Sequence, residues 1–185
     1  MPRPEEFFPS VRDNFPRYES FFQTVKPFPH SEVELQLSSC QKKSTLNPRL
    51  ALAIGGFDFS LHAELILKGY KYAYKIFCSD FGSAPFFRFD STGRAHFNEE
   101  NGGGLTNRAV PTPHYHKVDN DGIMRAYQSD DLKNHADDII SDLEKGGNMF
   151  LNEANITSDE SVIFRAERPE LFVTSPDPLN GVTFN

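Results

Sequence analysis

The stretch FFRFDSTGRAHFNEENGGGLTNRAVPTPHYHKVDNDGIMRAY, residues 86–127, decides the fold and holds the candidate site. Within it, three segments each place two chemically capable residues two positions apart: Arg88 and Asp90, His96 and Asn98, and His114 and His116. Side chains alternate between the two faces of a strand, so each pair lies on one face. If the strands are neighbours, one sheet face collects three histidines, a carboxylate, an amide and a guanidinium.

Strand patterns surround this stretch on both sides. Apolar residues at every second position predict strands over 32–37, 57–67 and 70–78, and the last two are expected to form a hairpin through Lys68 and Gly69. Residues 50–54 predict another strand, whereas 41–48 read as a loop. We also expect a hairpin of 86–90 with 94–98, a turn at 119–122 with a return strand over 123–127, and short late strands at 162–164 and 171–173.

One clear helix is predicted. Ser129 is a suitable N-cap, and the acidic residues that follow complement the positive end of the helix dipole. Lys145 and the glycines at 146 and 147 are expected to end it. Its buried stripe is predicted to consist of Leu132, Ala136, Ile139, Ile140 and Leu143.

Residues 1–31 form a separate region, because they contain six of the 13 prolines and six phenylalanines. Proline disfavours long regular elements, so we expect an aromatic N-terminal arm with one short helix over 17–25 that buries Phe21, Phe22 and Val25. A single domain is expected over 32–175, with a C-terminal tail at 176–185. The predicted fold class is α+β, a predominantly antiparallel meander sheet of about seven or eight strands with one helix and the arm.

Bulk properties narrow the function classes. The chain has 185 residues, a formal net charge of −7 and a pI near 5.3. No basic stripe of the kind that tracks nucleic acid is visible, although folding can bring separated cations together. Cys40 and Cys78 fit two reduced, mostly buried thiols in a cytoplasmic protein, and no run of residues is apolar enough to span a membrane.

Two motif assignments are excluded by spacing. The acidic residues at 119–121 are consecutive and therefore form a turn rather than an EF-hand loop. The glycines at 102–104 lead to Pro111 and not into a helix, so they predict a flexible lid or a plain loop rather than a phosphate cradle.

The polar faces predict two alternative chemistries. Neighbouring imidazoles of His114 and His116, with His96 as a third ligand and Asp90 as a fourth or supporting group, suit a divalent metal ion that activates water. The same histidines can also act without metal as general acid and base, while Arg88 or Lys117 stabilises developing negative charge. A structural role is the competing interpretation, since paired histidines and an Arg–Asp ion pair also occur on ordinary strands. His30 and His62 are expected to be structural, and His135 is expected to be a solvated histidine on the surface of the predicted helix.

The pattern RFDSTGRAHFN followed by PTPHYHKVDNDGIMRAY resembles a motif in small bacterial proteins, with Arg-x-Asp-x-x-Gly-x-x-His-x-Asn and then Pro-His-x-His. Some of those proteins occur in toxin–antitoxin or phage-defence settings. The resemblance covers residues 88–127 and implies site roles for Arg88, Asp90, His96, His114 and His116.

Three functions remain open on the sequence. The first is a defence-type or toxin–antitoxin-type hydrolase acting on a phosphodiester of RNA or a nucleotide. The second is a non-catalytic module that binds a protein partner through its acidic surface and aromatic arm. The third is a metal-dependent enzyme with a small-molecule substrate.

Overall fold

The structure is a computed structural model, and it describes residues 6–46, 49–98 and 109–168. Those residues form a mixed α+β fold around a mostly antiparallel sheet of nine strands. The strands are β1 (Lys26–Pro27), β2 (Glu32–Leu37), β3 (Lys43–Thr45), β4 (Leu50–Ile54), β5 (Phe57–Ile66), β6 (Lys71–Cys78), β7 (Phe87–Asp90), β8 (His96–Phe97), β9 (Ala109–Val110), β10 (His114–Val118), β11 (Met124–Tyr127), β12 (Ile156–Thr157) and β13 (Ile163–Ala166). The helices are α1 (Pro9–Asp13), α2 (Phe15–Gln23), α3 (Asp130–Asn134), α4 (Ala136–Ile139) and α5 (Leu143–Glu153), with a 3-10 turn at Ser79–Phe81.

The main sheet runs in the order β11-β10-β7-β6-β5-β3-β2-β13, and β4 also pairs with β5. Its nine strands, with β1–β12 and β8–β9 as two small separate pairs, exceed the seven or eight expected. The long β5–β6 hairpin is confirmed, with alternate residues from Phe57 to Leu65 buried. Every pairing in this sheet is antiparallel except that of β2 with β13.

Helices α2 and α5 pack on one face of the sheet and build the aromatic core there. Phe21 of α2 packs on Phe59 and Phe86, with ring centroids 5.3 and 4.9 Å apart. Phe150 of α5 stacks on Phe87 at 4.8 Å. The polar pairs alternate with core residues along their strands and therefore lie on the opposite face of the sheet.

The predicted single helix over 129–145 is wrong in its extent. Ser129 caps α3 as expected, since its side chain accepts from the Leu132 amide at 3.2 Å. The chain then breaks after α4, where the Ile139 carbonyl accepts from the Tyr72 hydroxyl and from the Asp142 amide, and so does not continue an α-helical ladder. Asp142 caps a new helix, α5, which runs through the glycines expected to end it. Ile140 is 36% exposed and does not belong to the buried stripe.

Four further expectations need correction. The segment 94–98 does not pair with 86–90; β8 pairs with β9, and β7 lies between β6 and β10. The predicted loop over 41–48 contains β3. In the N-terminal region α2 buries Tyr18 and Phe21, but Val25 is 61% exposed. Cys40 is exposed, whereas Cys78 is buried.

Several expectations fall outside the described residues: the glycines at 102–104, the strand at 171–173 and the tail at 176–185. Within the described ranges, α5 is the longest helix at 11 residues, and no helix has the length and apolar character needed to cross a membrane.

Candidate functional site

The pairing of β7 with β10 brings two of the three polar pairs together. His114 lies directly opposite Asp90, and His116 lies directly opposite Arg88. Opposed residues of an antiparallel pair point to the same face, so these four side chains share one surface. The alternate residues Phe89 and Tyr115 are fully buried on the core face. The prediction that residues two positions apart share one face of the sheet is therefore confirmed for β7 and β10.

Polar atoms of this group converge on the carboxylate of Asp90. Asp90 Oδ2 lies 3.1 Å from His116 Nε2, 3.8 Å from His114 Nε2 and 3.0 Å from Arg88 Nη2. The same Arg88 nitrogen lies 2.9 Å from His116 Nε2. One potential ligand atom from each of Asp90, His114 and His116 can be chosen so that all three lie within 4.8 Å of one another.

The tautomer of His114 follows from its second nitrogen. His114 Nδ1 lies 3.1 Å from the carbonyl oxygen of Pro111, and a carbonyl can only accept, so Nδ1 carries the proton. In the neutral ring Nε2 then presents a lone pair toward Asp90 Oδ2. Two acceptors face each other across 3.8 Å, an arrangement that a cation between them stabilises.

Burial keeps both imidazoles neutral and Asp90 ionised. His114 and His116 are only 2% and 1% exposed, and burial lowers the pKa of both, to about 4 for His116. Burial alone would raise the pKa of Asp90, but the hydrogen bond with His116 and the charge of Arg88 outweigh it and lower that pKa to about 2. Two neutral imidazoles and one carboxylate are the protonation states that metal ligation requires.

The spacing of the donor atoms suits one divalent ion. Two donors bound to the same tetrahedral ion at about 2.1 Å lie roughly 3.4 Å apart. The two distances from Asp90 Oδ2 to the imidazole nitrogens, 3.1 and 3.8 Å, lie on either side of that value. The bond from His114 Nδ1 to Pro111 is the outer contact that typically orients a metal-binding imidazole. This buried Asp90–His114–His116 group could therefore hold a metal ion.

The guanidinium of Arg88 supplies a positive charge beside Asp90 and His116. Its Nη2 contacts both Asp90 Oδ2 and His116 Nε2, the two atoms that a metal ion would share. Its Nε is buried and has no hydrogen-bond partner among the described residues. The guanidinium is thus held by one nitrogen, and a metal ion would have to displace that nitrogen.

His96 lies beside the group rather than within it. Its ring centroid is 5.0 Å from that of His116 and 6.3 Å from that of His114. The segment carrying it is fixed by Asn98, whose side chain donates to the Ala126 carbonyl at 2.7 Å and accepts from the Ala126 amide at 2.9 Å. Asn98 therefore acts as a strand partner for the sheet edge, and β8 is held over the imidazoles.

Solvent reaches the group on the Asp90 side. The side chains of Asp90 and Arg88 are 27% and 24% exposed. Two open clefts, of about 530 and 310 Å³, lie elsewhere, one beside the start of α5 and one between β10, β11 and the end of α5. Neither is lined by the histidines.

Sequence reasoning missed the neighbours of this group on the same face. Lys75 lies directly opposite Arg88, and His62 lies directly opposite Lys75. The alternation of β5 and β6 placed both residues outward, but their position next to the site depended on the pairing of β6 with β7, which the sequence did not predict.

Comparisons with known proteins found no match for this chain. No protein family matches the chain, and neither a curated protein nor a solved structure matches it.

Proposed function

We propose that Asp90, His114 and His116 bind one divalent metal ion, and that this centre hydrolyses a phosphodiester of RNA or of a nucleotide. The observation that carries the proposal is the convergence of a carboxylate with two neutral imidazoles, one of them oriented by the Pro111 carbonyl. A metal ion held by three protein ligands lowers the pKa of a bound water to near neutrality.

The lowered pKa values of the histidines favour the metal-dependent scheme over the metal-free one. A metal-free mechanism needs one imidazole to donate a proton near pH 7. His116, with a pKa of about 4, and His114, whose pKa is also lowered by burial, are neutral at that pH. His96 lies beside the centre, with its ring centroid 5.0 Å from that of His116.

Arg88 gains a role in this scheme. If a metal ion were held by Asp90 and His116, the guanidinium of Arg88 would lose its contacts with both and would be placed to stabilise the negative charge that develops on the phosphate. The motif resemblance over residues 88–127 supports a bacterial or phage toxin–antitoxin or defence setting, and a cytoplasmic location is part of the proposal. The binding-module alternative has less support, because Phe8, Tyr18 and Phe21 of the aromatic arm are buried in the core.

A cleavage assay tests the proposal. Wild-type protein is incubated with bis(p-nitrophenyl) phosphate and with single-stranded RNA in the presence of Zn²⁺, Mn²⁺ or Mg²⁺. Cleavage is expected to disappear with EDTA and in the His114→Ala and His116→Ala variants, and to persist in His135→Ala, whose side chain is 42% exposed on the surface. Equal cleavage by the folded His114→Ala and wild-type proteins would refute the assignment.

A further inference from the structure

The open face of the sheet carries a row of polar side chains that leads to the metal ligands. His62, Lys75, Arg88 and His116 lie directly opposite one another on four consecutive strands, β5, β6, β7 and β10. Neighbouring strands are about 4.8 Å apart, so the row extends over roughly 14 Å. Asp90 and His114 occupy the adjacent positions at its β10 end.

The charged side chains near this row are more positive in balance than the chain as a whole. Lys75 Nζ lies 2.6 Å from Glu64 and Lys43 Nζ lies 4.0 Å from the same carboxylate, while Arg88 is paired with Asp90. Four cationic groups, Lys43, Arg49, Lys75 and Arg88, therefore lie near the carboxylates of Glu64 and Asp90, and Asp58 lies on the same face of β5. The local balance is thus slightly positive on a chain with a formal net charge of −7, and it favours an anionic ligand.

An aromatic platform lies beside the far end of the row. The guanidinium carbon of Arg49 lies 3.7 Å from the ring centroid of Phe77, and Phe77 is half-buried on the open face. Arg49 is also close enough to His62 to contribute, after burial, to the lowering of the His62 pKa. Arginine and aromatic planes of this kind are surfaces on which nucleobases stack.

Two polar atoms in the row remain unused by the described residues. His62 Nδ1 and Arg88 Nε are buried, and neither has a hydrogen-bond partner in the described part of the chain. They belong to the two residues that lie on either side of Lys75. Internal hydrogen bonds thus leave part of the hydrogen-bonding capacity of the row unsatisfied.

We propose that this row, from Arg49 and His62 through Lys75 to Arg88, is the binding surface for a single-stranded polynucleotide, whose backbone it delivers to the metal centre. This inference rests on the proposed function and names its substrate class. A mononucleotide would occupy only one end of a surface about 14 Å long. The combination of a cationic track with a stacking platform instead fits a strand of several nucleotides.

Binding measured without catalysis tests the surface separately from the chemistry. The full chain carrying His114→Ala is titrated in EDTA against a labelled single-stranded 12-nucleotide RNA, the matching DNA strand, the RNA duplex and a mononucleotide. Fluorescence anisotropy is recorded at several salt concentrations. Both single strands are expected to bind at least about tenfold more tightly than the mononucleotide or the duplex.

Charge-neutralising variants give the decisive comparison. Lys75→Gln and Arg49→Gln are each expected to reduce the slope of log affinity against log salt by about 0.7, the value for one lost phosphate contact on a single strand. Phe77→Leu, which keeps the apolar volume, is expected to weaken binding about tenfold. Lys133→Gln is the control of equal charge change, because that side chain is exposed on α3 away from the sheet face.

The outcomes separate the two proposals. If Lys75→Gln and Arg49→Gln behave like Lys133→Gln, or if the mononucleotide binds as tightly as the 12-nucleotide strands, the surface assignment is overturned, whatever the cleavage assay shows. If strand binding responds as described but the wild-type protein cleaves nothing with any metal, the surface stands and the hydrolytic proposal fails.

Discussion

At the scale of single residues, Arg88 determines whether the Asp90–His114–His116 group has room for a metal ion. Arg88 Nη2 lies within hydrogen-bonding distance of both Asp90 Oδ2 and His116 Nε2, at 3.0 and 2.9 Å. The ligand set thus already holds a cation, and any metal ion competes with it. The sequence indicated an ion pair of Arg88 with Asp90 as an alternative to a site, but not that the same guanidinium nitrogen would also contact His116.

Replacing Arg88 by methionine is therefore expected to increase metal affinity. The variant removes the competing charge and keeps an apolar stem, and the charge-assisted hydrogen bonds it removes are each worth about 1.5–3 kcal/mol. The Kd for Zn²⁺, measured by competition with a chelating dye, should fall by about tenfold or more. Arg125→Met is the matched control, since Arg125 pairs with Asp119 on the other side of the edge strand. Weaker zinc binding by Arg88→Met would mean that the guanidinium supports the ligands instead of competing with the metal.

The pKa of His116 predicts a particular pH dependence of stability. Its value falls from 6.5 to about 4 on folding, chiefly because of burial, so between those values the unfolded chain binds a proton that the folded protein does not. The neutral His116 side chain therefore makes its full contribution to the free energy of unfolding above pH 6.5. This contribution is lost as the pH falls toward 4, by up to about 3 kcal/mol. Urea unfolding at pH 7, 6 and 5 should show this slope in wild type and in His135→Gln. In His116→Gln the slope should be reduced, and an unchanged slope there would contradict the assignment.

For single residues, the sequence predicted which side chains share a face of the sheet, but it did not predict the hydrogen-bond partners of those side chains. Spacing by two residues placed Arg88 with Asp90 and His114 with His116, and the register of β7 with β10 confirmed it. Two roles could not be found that way. Asn98, grouped with His96 on spacing, uses both ends of its amide on the backbone of Ala126. The partner of His114 Nδ1 is a carbonyl, that of Pro111, which no side-chain pattern reveals.

At the scale of elements, α5 contains two glycines at positions where the helix packs closely against neighbouring strands. A Cβ at Gly146 would lie 2.8 Å from Cε2 of Tyr72, and a Cβ at Gly147 would lie 2.5 Å from Cε2 of Phe164. The two glycines let the helix approach β6 and β13 closely. The sequence signal of paired glycines after Lys145 indicated a helix end, but the tertiary contact with the tyrosine and phenylalanine rings decided otherwise.

Gly146→Ala is expected to destabilise the protein even though alanine favours helices. The propensity gain is about 1 kcal/mol, whereas forcing a methyl group against the Tyr72 ring costs about 1–3 kcal/mol and also disturbs the hydroxyl contacts of Tyr72. Chemical denaturation should show a lower free energy of unfolding for Gly146→Ala. Asn152→Ala, at an exposed position of the same helix, should be neutral or slightly stabilising. A more stable Gly146→Ala protein would show that the close approach does not constrain the helix.

The hairpins illustrate which pairings a sequence can predict. The β5–β6 hairpin was found because ten residues of strict alternation meet a glycine turn. The expected hairpin of 86–90 with 94–98 failed because β7 takes both of its neighbours from more distant segments, β6 and β10. Short strands such as β8 hold too few residues for alternation to fix their partner.

At the scale of the whole molecule, the N-terminal region is part of the core. Tyr18 and Phe21 are fully buried, and the Tyr18 hydroxyl accepts from the Val118 amide of β10 at 2.7 Å. The helix α2 thus braces the strand that carries His114 and His116. Composition predicted an aromatic segment packed on the domain, but it did not reveal that Tyr18 reaches the site-bearing strand.

Truncating Phe21 should therefore affect the entire fold. Phe21→Ala removes a fully buried ring that contacts Phe57, Phe59 and Phe86, which typically costs about 3–5 kcal/mol. Val25→Ala, at a position 61% exposed, should change the free energy of unfolding by less than about 0.5 kcal/mol. Similar effects of the two substitutions in urea unfolding would contradict a core role for this region.

Isothermal titration of the purified, chelator-treated protein with Zn²⁺ tests most directly whether Asp90, His114 and His116 form one metal site. We predict one equivalent bound per chain, with binding lost in His114→Ala and in His116→Ala and retained in His135→Ala, each variant being shown to be folded. Binding that survives in both His114→Ala and His116→Ala, or a wild-type protein that binds no more zinc than these variants, would contradict the claim.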